Sequence, residues 1–152
     1  MTNNDILRRI RYTFEFNDTK MIEIFALADF QVTRGQISDW MKKDDDPSYL
    51  ELEDMHLCIF LDGFINDKRG KKEGAQFLPE KQLNNNTIFR KLKIALNLKD
   101  DDMLEILELA GMRISKHELS AFFRNPLQEQ YRPCKDQILR NFLNGMQKKY
   151  HS

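Results

Sequence analysis

The stretch Asp18–Lys43 reads DTKMIEIFALADFQVTRGQISDWMKK, and Asp100–Asn125, 82 residues later, reads DDDMLEILELAGMRISKHELSAFFRN. Seven pairs of identical residues recur at this offset: Asp18/Asp100, Met21/Met103, Glu23/Glu105, Ile24/Ile106, Leu27/Leu109, Ala28/Ala110 and Ser38/Ser120. The same offset continues outward without a gap, from Asn3/Asn85 to Gly63/Gly145. The sequence therefore predicts an internal duplication of about 70 residues.

A capping pattern inside the duplicated stretch marks the start of a helix in each copy. Thr33–Gln36 and Ser115–Glu118 both fit the capping box S/T-x-x-E/Q. In this motif the hydroxyl accepts a hydrogen bond from the backbone N–H of the Glu or Gln, and the Glu or Gln side chain accepts one from the backbone N–H of the Ser or Thr. Apolar residues flank both boxes in the positions of a hydrophobic staple: Val32 and Ile37, and Ile114 and Leu119. We expect helices to begin at Arg34 and at Lys116.

Apolar spacing predicts three more helices in each copy. The first runs from about Asn4 to Phe16, with asparagines as N-caps. The second follows Asp18 or Asp100, each taken as an N-cap. The fourth runs from about Leu52 to Asp67.

In the second copy, Pro133 suits the first turn of the fourth helix. Gly63 and Gly145 fall inside the fourth helices, where glycine is unfavourable, so another backbone should approach closely there. Trp40 should lie in the core, since its counterpart is Phe122.

These patterns predict an all-α protein formed by tandem duplication of a four-helix, helix-turn-helix-like repeat. Residues 1–70 form the first repeat, 71–82 the linker and 83–152 the second repeat. Gly, Pro and charged residues are concentrated in the linker. Each repeat alone is near the size at which a single core is marginal, so we expect the repeats to pack on each other or the protein to dimerise.

The charge is neutral in total but differs between the halves. Residues 1–78 carry 11 basic and 15 acidic side chains, a net of −4, and residues 79–152 carry 13 and 9, a net of +4. A formal net charge of zero argues against a generic polyanion binder. The polarity fits attraction between halves, self-association, or an anionic partner for the basic half.

Several classes of function find no support in the residues. No paired His, acid and nucleophile set and no Gly-rich phosphate loop occurs, so we predict no enzyme, no catalytic residue and no cofactor. The run Asp44–Asp46 lacks the spacing of a calcium loop, and we predict no metal site. Two unmatched cysteines, no signal peptide and no apolar run of membrane-spanning length favour a reduced, cytoplasmic protein without membrane contact.

The remaining interpretation is a binding or regulatory protein, most readily a protein–protein interaction module. A helix followed by a short turn and a capped helix resembles a helix-turn-helix, so a nucleic-acid-binding regulator is the alternative. The candidate partner-binding residues are basic or small and polar and lie on the first and third helices of the second repeat: Arg90, Lys91, Lys93, Lys116, His117, Ser120 and Arg124. Charge runs on amphipathic helices are, however, usually solvated faces.

Three motifs resemble the YehS-like family. They are N-[ND]-I-L-R at Asn4–Arg8, N-N-N-x-x-x-[RK]-K-L-[RK] at Asn84–Lys93, and Y-R-P-C-x-D-Q-x-L-R-N-F-L-x-G at Tyr131–Gly145. The FLDG at Phe60–Gly63 fits as well, and the resemblance covers nearly the whole chain. That family consists of small bacterial proteins made of two copies of a domain of unknown function. The resemblance implies a bacterial cytosolic protein and supports the duplication, but it supplies no site residues.

Overall fold

Helices account for all the regular structure in the computed structural model, which describes residues 1–71 and 83–152. They are α1 (Asn3–Phe14), α2 (Asp18–Leu27), α3 (Arg34–Met41), α4 (Asp54–Arg69), α5 (Asn85–Ala95), α6 (Asp100–Leu109), α7 (Lys116–Ala121) and α8 (Asp136–Tyr150). No strand occurs within the described ranges, and none of these helices is long and apolar enough to cross a bilayer. The all-α prediction is confirmed. The predicted linker, 71–82, lies outside the described residues apart from Lys71, so the domain boundaries stay predictions.

The two repeats exchange helix contacts in a reciprocal way. Helices α1–α4 correspond in order to α5–α8, and within each repeat the second helix packs on the third and fourth. The first helix of each repeat, by contrast, packs mainly on the last helix of the other, α1 on α8 and α5 on α4. We call these contacts the α1–α8 seam and the α4–α5 seam. Buried side chains from both repeats form one core across them.

Both predicted capping boxes are confirmed. The N–H of Gln36 donates to the Thr33 hydroxyl at 3.1 Å, and the Gln36 side chain accepts from the Thr33 N–H at 2.9 Å. Ser115 and Glu118 make the same pair of bonds. Helices α3 and α7 therefore begin at the predicted residues, and Trp40 lies in the core as expected.

A buried asparagine clamps the loop between the third and fourth helices in each repeat. Asn4 donates its amide to the carbonyls of Trp40 and Leu50, at 3.0 and 2.9 Å. Its side-chain oxygen accepts from the backbone N–H of Leu52 at 2.9 Å. Asn86 holds the equivalent backbone groups of the second repeat, at Phe122, Arg132 and Cys134.

This clamp explains several differences from the predicted helix ends. The backbone N–H and carbonyl of Leu52 are hydrogen-bonded to the side chains of Asn4 and Asn3 on α1. Leu52 is therefore held outside the helix, and α4 begins only at Asp54. By the same geometry α8 begins at Asp136, and Pro133 precedes the helix instead of occupying its first turn. The N-cap of α1 is Thr2, because Asn3 and Asn4 lie within the helix.

Other predicted ends are shifted by one or two residues. The residues capping α2 and α6 are Asn17 and Lys99, so Asp18 and Asp100 are the first helical residues and not the caps. Helix α1 stops at Phe14, since the next residue adopts a left-handed conformation, with φ of 53°. The N-cap of α5 is an asparagine as predicted, Asn84, which accepts from the Thr87 N–H.

Close backbone contacts occur at Gly63 and Gly145, as predicted. A Cβ on Gly63 would lie 1.9 Å from the carbonyl oxygen of Ile24 on α2. A Cβ on Gly145 would meet Ile106 on α6 at the same distance. Only glycine permits this approach, which sets the packing of the second helix on the fourth in both repeats.

Candidate functional site

Two clefts open at the seams between the repeats. The first, of about 760 Å³, lies at the α1–α8 seam and is lined by Arg8, Arg11, Tyr12, Glu15, Phe16, Asn17, Asp18, Ser38, Met41 and His151. The second, of about 380 Å³, lies at the α4–α5 seam and is lined by Arg69, Arg90, Lys93, Ile94, Asn97, Leu98 and Phe123. Every residue lining the second cleft is 82 positions from a residue lining the first. The clefts are therefore duplicates of one another, each formed by both repeats.

The cations of the first cleft are paired with acidic residues of the same repeat. Arg8 forms an ion pair with Asp5, three residues earlier on α1, and its guanidinium also donates to the carbonyl of Lys42 at 2.8 Å. Arg11 donates to Asp18 at 2.8 Å. Since these bonds occupy both guanidinium groups, the first cleft neutralises its own positive charge.

The rim of the first cleft is closed by contacts to His151. The imidazole stacks on the Tyr12 ring, with centroids 4.3 Å apart and planes 7° from parallel. Its Nε2 atom lies 3.6 Å from a carboxylate oxygen of Glu15. This group too has its partners within the protein.

The second cleft has lost most of the corresponding acidic residues. Thr87 stands at the position equivalent to Asp5, and Asn97 at the position equivalent to Glu15. Arg90, the counterpart of Arg8, is exposed and forms no hydrogen bond or ion pair with any residue in 1–71 or 83–152. Of the pairs in the first cleft, the one between Lys93 and Asp100 is retained, at 2.6 Å. Among residues 1–71 and 83–152, no acidic side chain therefore compensates the charge of Arg90 in the second cleft.

Arg69 adds a further cation from the opposite side of the α4–α5 seam. It is the last residue of α4, takes the place of His151, and is exposed. No acidic group within the described part of the chain pairs with it. Arg69 was not among the predicted binding residues. The 82-residue offset shows that Arg69 is equivalent to His151, but it does not predict that α4 packs against α5.

The same loss of an acidic partner occurs at Arg124, next to the second cleft. In the first repeat its counterpart, Lys42, binds Asp39 at 2.7 Å, and this hydrogen bond raises the pKa of Lys42. The counterpart of Asp39 is Ala121. The Nε atom of Arg124 is buried and finds no hydrogen-bond partner among the described residues.

Apolar side chains form the floor of the second cleft. The Phe123 ring stacks on Phe89 with centroids 5.4 Å apart, and Lys93 Nζ lies over its face, 4.4 Å from the centroid. Ile94 is 45% exposed, and the equivalent Tyr12 of the first cleft is 54% exposed. The cleft therefore offers an apolar surface bordered by cations.

The predicted binding residues fall into separate groups. Arg90 and Lys93 lie together in the second cleft, whereas Lys91 faces the seam. Lys91 Nζ lies 2.6 Å from a carboxylate oxygen of Asp62, and the two side chains are 13% and 2% exposed. The equivalent pair, Arg9 with Asn144, bridges the other seam. Lys91 therefore joins the repeats.

The residues predicted on the third helix of the second repeat do not form one basic face. Helix α7 is six residues long and ends before Arg124. Lys116 is exposed and lies 3.5 Å from a carboxylate oxygen of Asp101. His117 is exposed, and Ser120 donates its hydroxyl to the His117 carbonyl at 3.0 Å. None of these four residues lines the second cleft, although Arg124 directly follows Phe123, which does.

Reactive or metal-binding side chains do not gather elsewhere in the described residues. Cys58 and Cys134 are both buried, and burial raises the pKa of Cys134 to about 12, which keeps its thiol protonated at neutral pH. Residues 1–71 and 83–152 contain no group of three or more His, Cys, Asp and Glu side chains placed to hold a metal ion.

Comparison with known proteins identifies the family. The chain is 41% identical to the uncharacterized protein YehS of Escherichia coli (strain K12), over 99% of this chain and 97% of that protein. No solved structure matches it. The family model described as "Protein of unknown function (DUF1456)" matches twice, at residues 3–70 and 85–151, which confirms the resemblance and the duplication. The chain therefore belongs to the DUF1456 family.

Proposed function

We propose that the chain is a non-enzymatic regulatory protein that binds a protein partner, and that the second cleft is its docking site. The supporting observation is the difference between two equivalent clefts. In the first, Asp5 and Asp18 pair with Arg8 and Arg11, and Glu15 lies beside His151. The second retains only Asp100 and presents Arg69 and Arg90 beside an apolar floor.

Such a surface is suited to protein recognition. Interfaces are enriched in arginine and in apolar or aromatic residues at their centre. The second cleft combines arginines with Ile94, Leu98 and Phe123.

Nucleic-acid binding is the second candidate, favoured by the uncompensated arginines. The short α7 supports it less well, because Lys116 lies close to Asp101 and Arg124 is outside the helix. Fluorescence polarisation of a labelled random duplex, titrated across a salt series, separates the two. Affinity that falls linearly in log[salt] would favour the nucleic-acid function, since released counterions make phosphate contacts salt-dependent.

The test of the proposed function uses charge reversal at Arg90 with a matched control. Partners are captured from a lysate of the source bacterium, and the identified partner is then purified and titrated by calorimetry. R90E should weaken its binding at least about tenfold, since a repulsive charge would enter the docking site. R140E makes the same charge change on the exposed side of α8, outside both clefts, and should leave the affinity unchanged. Equal affinities for R90E and R140E would refute the docking site.

Self-association is tested on the same proteins. The net charges of −4 and +4 in the two halves would allow a second copy to be the partner. Light scattering after size exclusion would then give a mass for the wild-type protein that R90E reduces to that of one chain. A single-chain mass for both proteins would exclude a second copy as the partner.

A further inference from the structure

We infer that the second cleft takes a peptide segment in which acidic side chains flank an apolar one. This inference rests on the proposed function and names the chemistry of the partner. It draws on the geometry of the cations, on the apolar floor, and on the acidic residues that the first repeat places at the same positions.

The first repeat shows which groups the second cleft is built to hold. At its equivalent positions, the carboxylate of Asp5 occupies Arg8 and that of Glu15 lies beside His151. Arg90 and Arg69 stand at the positions of Arg8 and His151 in the second cleft, where Thr87 and Asn97 replace the two carboxylates. A partner that supplies two carboxylates would therefore complete an arrangement that the protein forms internally elsewhere.

Arginine suits this role better than lysine. A guanidinium presents a planar fork that binds a carboxylate through two parallel hydrogen bonds. Arg69 and Arg90 approach the cleft from different helices, α4 and α5, which places them on both sides of the seam. Two acidic side chains separated along a peptide fit this placement.

The floor of the cleft selects an apolar side chain between the acidic ones. Ile94, Leu98 and Phe123 line the cleft together with Arg69, Arg90 and Lys93. A volume of about 380 Å³ is near the lower end for ligand pockets and matches one or two side chains better than a large cofactor. Burial of a leucine-sized group contributes affinity that a purely electrostatic contact lacks.

Acidic residues near the cleft argue against an extended polyphosphate. Asp100, Asp101 and Asp102 form the first turn of α6, and Asp100 is already bound to Lys93. A duplex backbone that continued past the cleft would meet this negative charge. A short peptide need not extend that far.

The experiment asks whether restoring the acidic residues of the first repeat closes the second cleft. The probe is a short fluorescein-labelled peptide with leucines flanked by aspartates, and its binding to the full-length protein is followed by fluorescence polarisation. T87D recreates the spacing of Asp5 and Arg8, and N97E recreates that of Glu15 and His151. Together they should weaken peptide binding at least about tenfold, because internal carboxylates would compete for Arg90 and Arg69.

Matched controls separate this effect from unfolding and from net charge. T87D places a negative charge in the first turn of α5, where it favours the helix, so its melting temperature should not fall. N97E places a glutamate in the left-handed conformation (φ 54°) that Glu15 already adopts in the first repeat (φ 53°), so the loss of stability should be small. Gln130 and Gln137 are exposed and line neither cleft, and Q130E/Q137E adds the same two negative charges as T87D/N97E but should leave the affinity unchanged. A peptide with asparagines in place of aspartates, or serines in place of leucines, should bind at least about tenfold more weakly.

The outcomes distinguish this inference from the proposed function. No binding of the acidic peptide, equal binding to T87D/N97E, or equal binding of the asparagine peptide would overturn the peptide chemistry. Displacement of the peptide by millimolar inorganic phosphate would also overturn it, in favour of a phosphoryl ligand. In each case the proposed function stands if the purified partner still loses affinity for R90E, and falls if it does not.

Discussion

The two repeats share the interactions that fold them and differ in those that face the clefts. Capping boxes at Thr33 and Ser115 and close contacts at Gly63 and Gly145 occur in both. Most ion pairs around the clefts do not, apart from Arg11–Asp18 and its equivalent Lys93–Asp100. Three acidic side chains of the first repeat have neutral counterparts: Asp5/Thr87, Glu15/Asn97 and Asp39/Ala121. The comparison teaches that the scaffold tolerates loss of these charges, which leaves one cleft available for another role.

The seams show a second asymmetry, inside the core. Asp62 and Lys91 form an ion pair across the α4–α5 seam, whereas Asn144 and Arg9 make a hydrogen bond across the α1–α8 seam. Charge is therefore fully compensated at the seam beneath the open cleft. That seam should depend more strongly on its polar pair.

The largest expected effect tests this dependence. D62A removes the carboxylate beside a lysine that is 13% exposed, and should lower the free energy of unfolding by about 3 kcal/mol, because a buried charge loses its counter-ion. N144A removes a neutral acceptor of the Arg9 guanidinium, and should cost about 1.5 kcal/mol. Urea unfolding of both variants measures the difference. Equal losses would show that the two seams are energetically alike, and D62N, which copies the Asn144 pairing, should lie between.

The next effect should be the same in both repeats. G63A and G145A each place a methyl group 1.9 Å from a carbonyl oxygen of the neighbouring helix, and should each lower the free energy of unfolding by about 2 kcal/mol or more. G35A is the control, because its Cβ would meet only the Thr33 hydroxyl, at 3.7 Å. It should raise stability by up to about 1 kcal/mol, as expected for alanine in a helix. A large difference between G63A and G145A in thermal unfolding would contradict equivalent packing of the repeats.

Local features were predictable from the sequence. The capping boxes act within four residues, so the motif at Thr33–Gln36 specified both the bonds and the first helical residue. The glycine contacts were predictable because the offset placed Gly63 and Gly145 at equivalent positions within helices. The hydrogen bonds of Asn4 were not predicted, because its partners lie 36 to 48 residues away in the sequence. The sequence shows only that Asn4 recurs as Asn86.

The candidate site was predicted only in part, for the same reason. Arg90 and Lys93 were identified from their charge, but Arg69 joins them only because α4 packs on α5 of the other repeat. Lys91 was grouped with the surface residues, yet one position along a helix turns a side chain by about 100°, here toward Asp62. Whether a cation is paired with an acidic residue depends on contacts between helices. The periodicity of apolar residues within one helix does not predict such contacts.

The smallest expected effect concerns acid sensitivity, and it follows from the loss of Asp5 in the second repeat. Partial burial alone would raise the pKa of Asp5. The pKa of Asp5 is nevertheless below its usual value. It is lowered by hydrogen bonds from the Thr2 backbone N–H, the Arg8 guanidinium and the Thr2 hydroxyl, and by the charge of Arg8. Because the pKa is lower in the folded state, Asp5 stabilises the fold above the unfolded pKa of about 4, and this contribution disappears as the pH falls through the folded pKa.

The difference in unfolding free energy between wild type and D5N should therefore be present at neutral pH and shrink in acid. For T87N it should not depend on pH, because threonine does not titrate. Urea titrations at a series of pH values measure both differences, and a D5N difference that stayed constant into acid would show that Asp5 gains nothing from its ionised state.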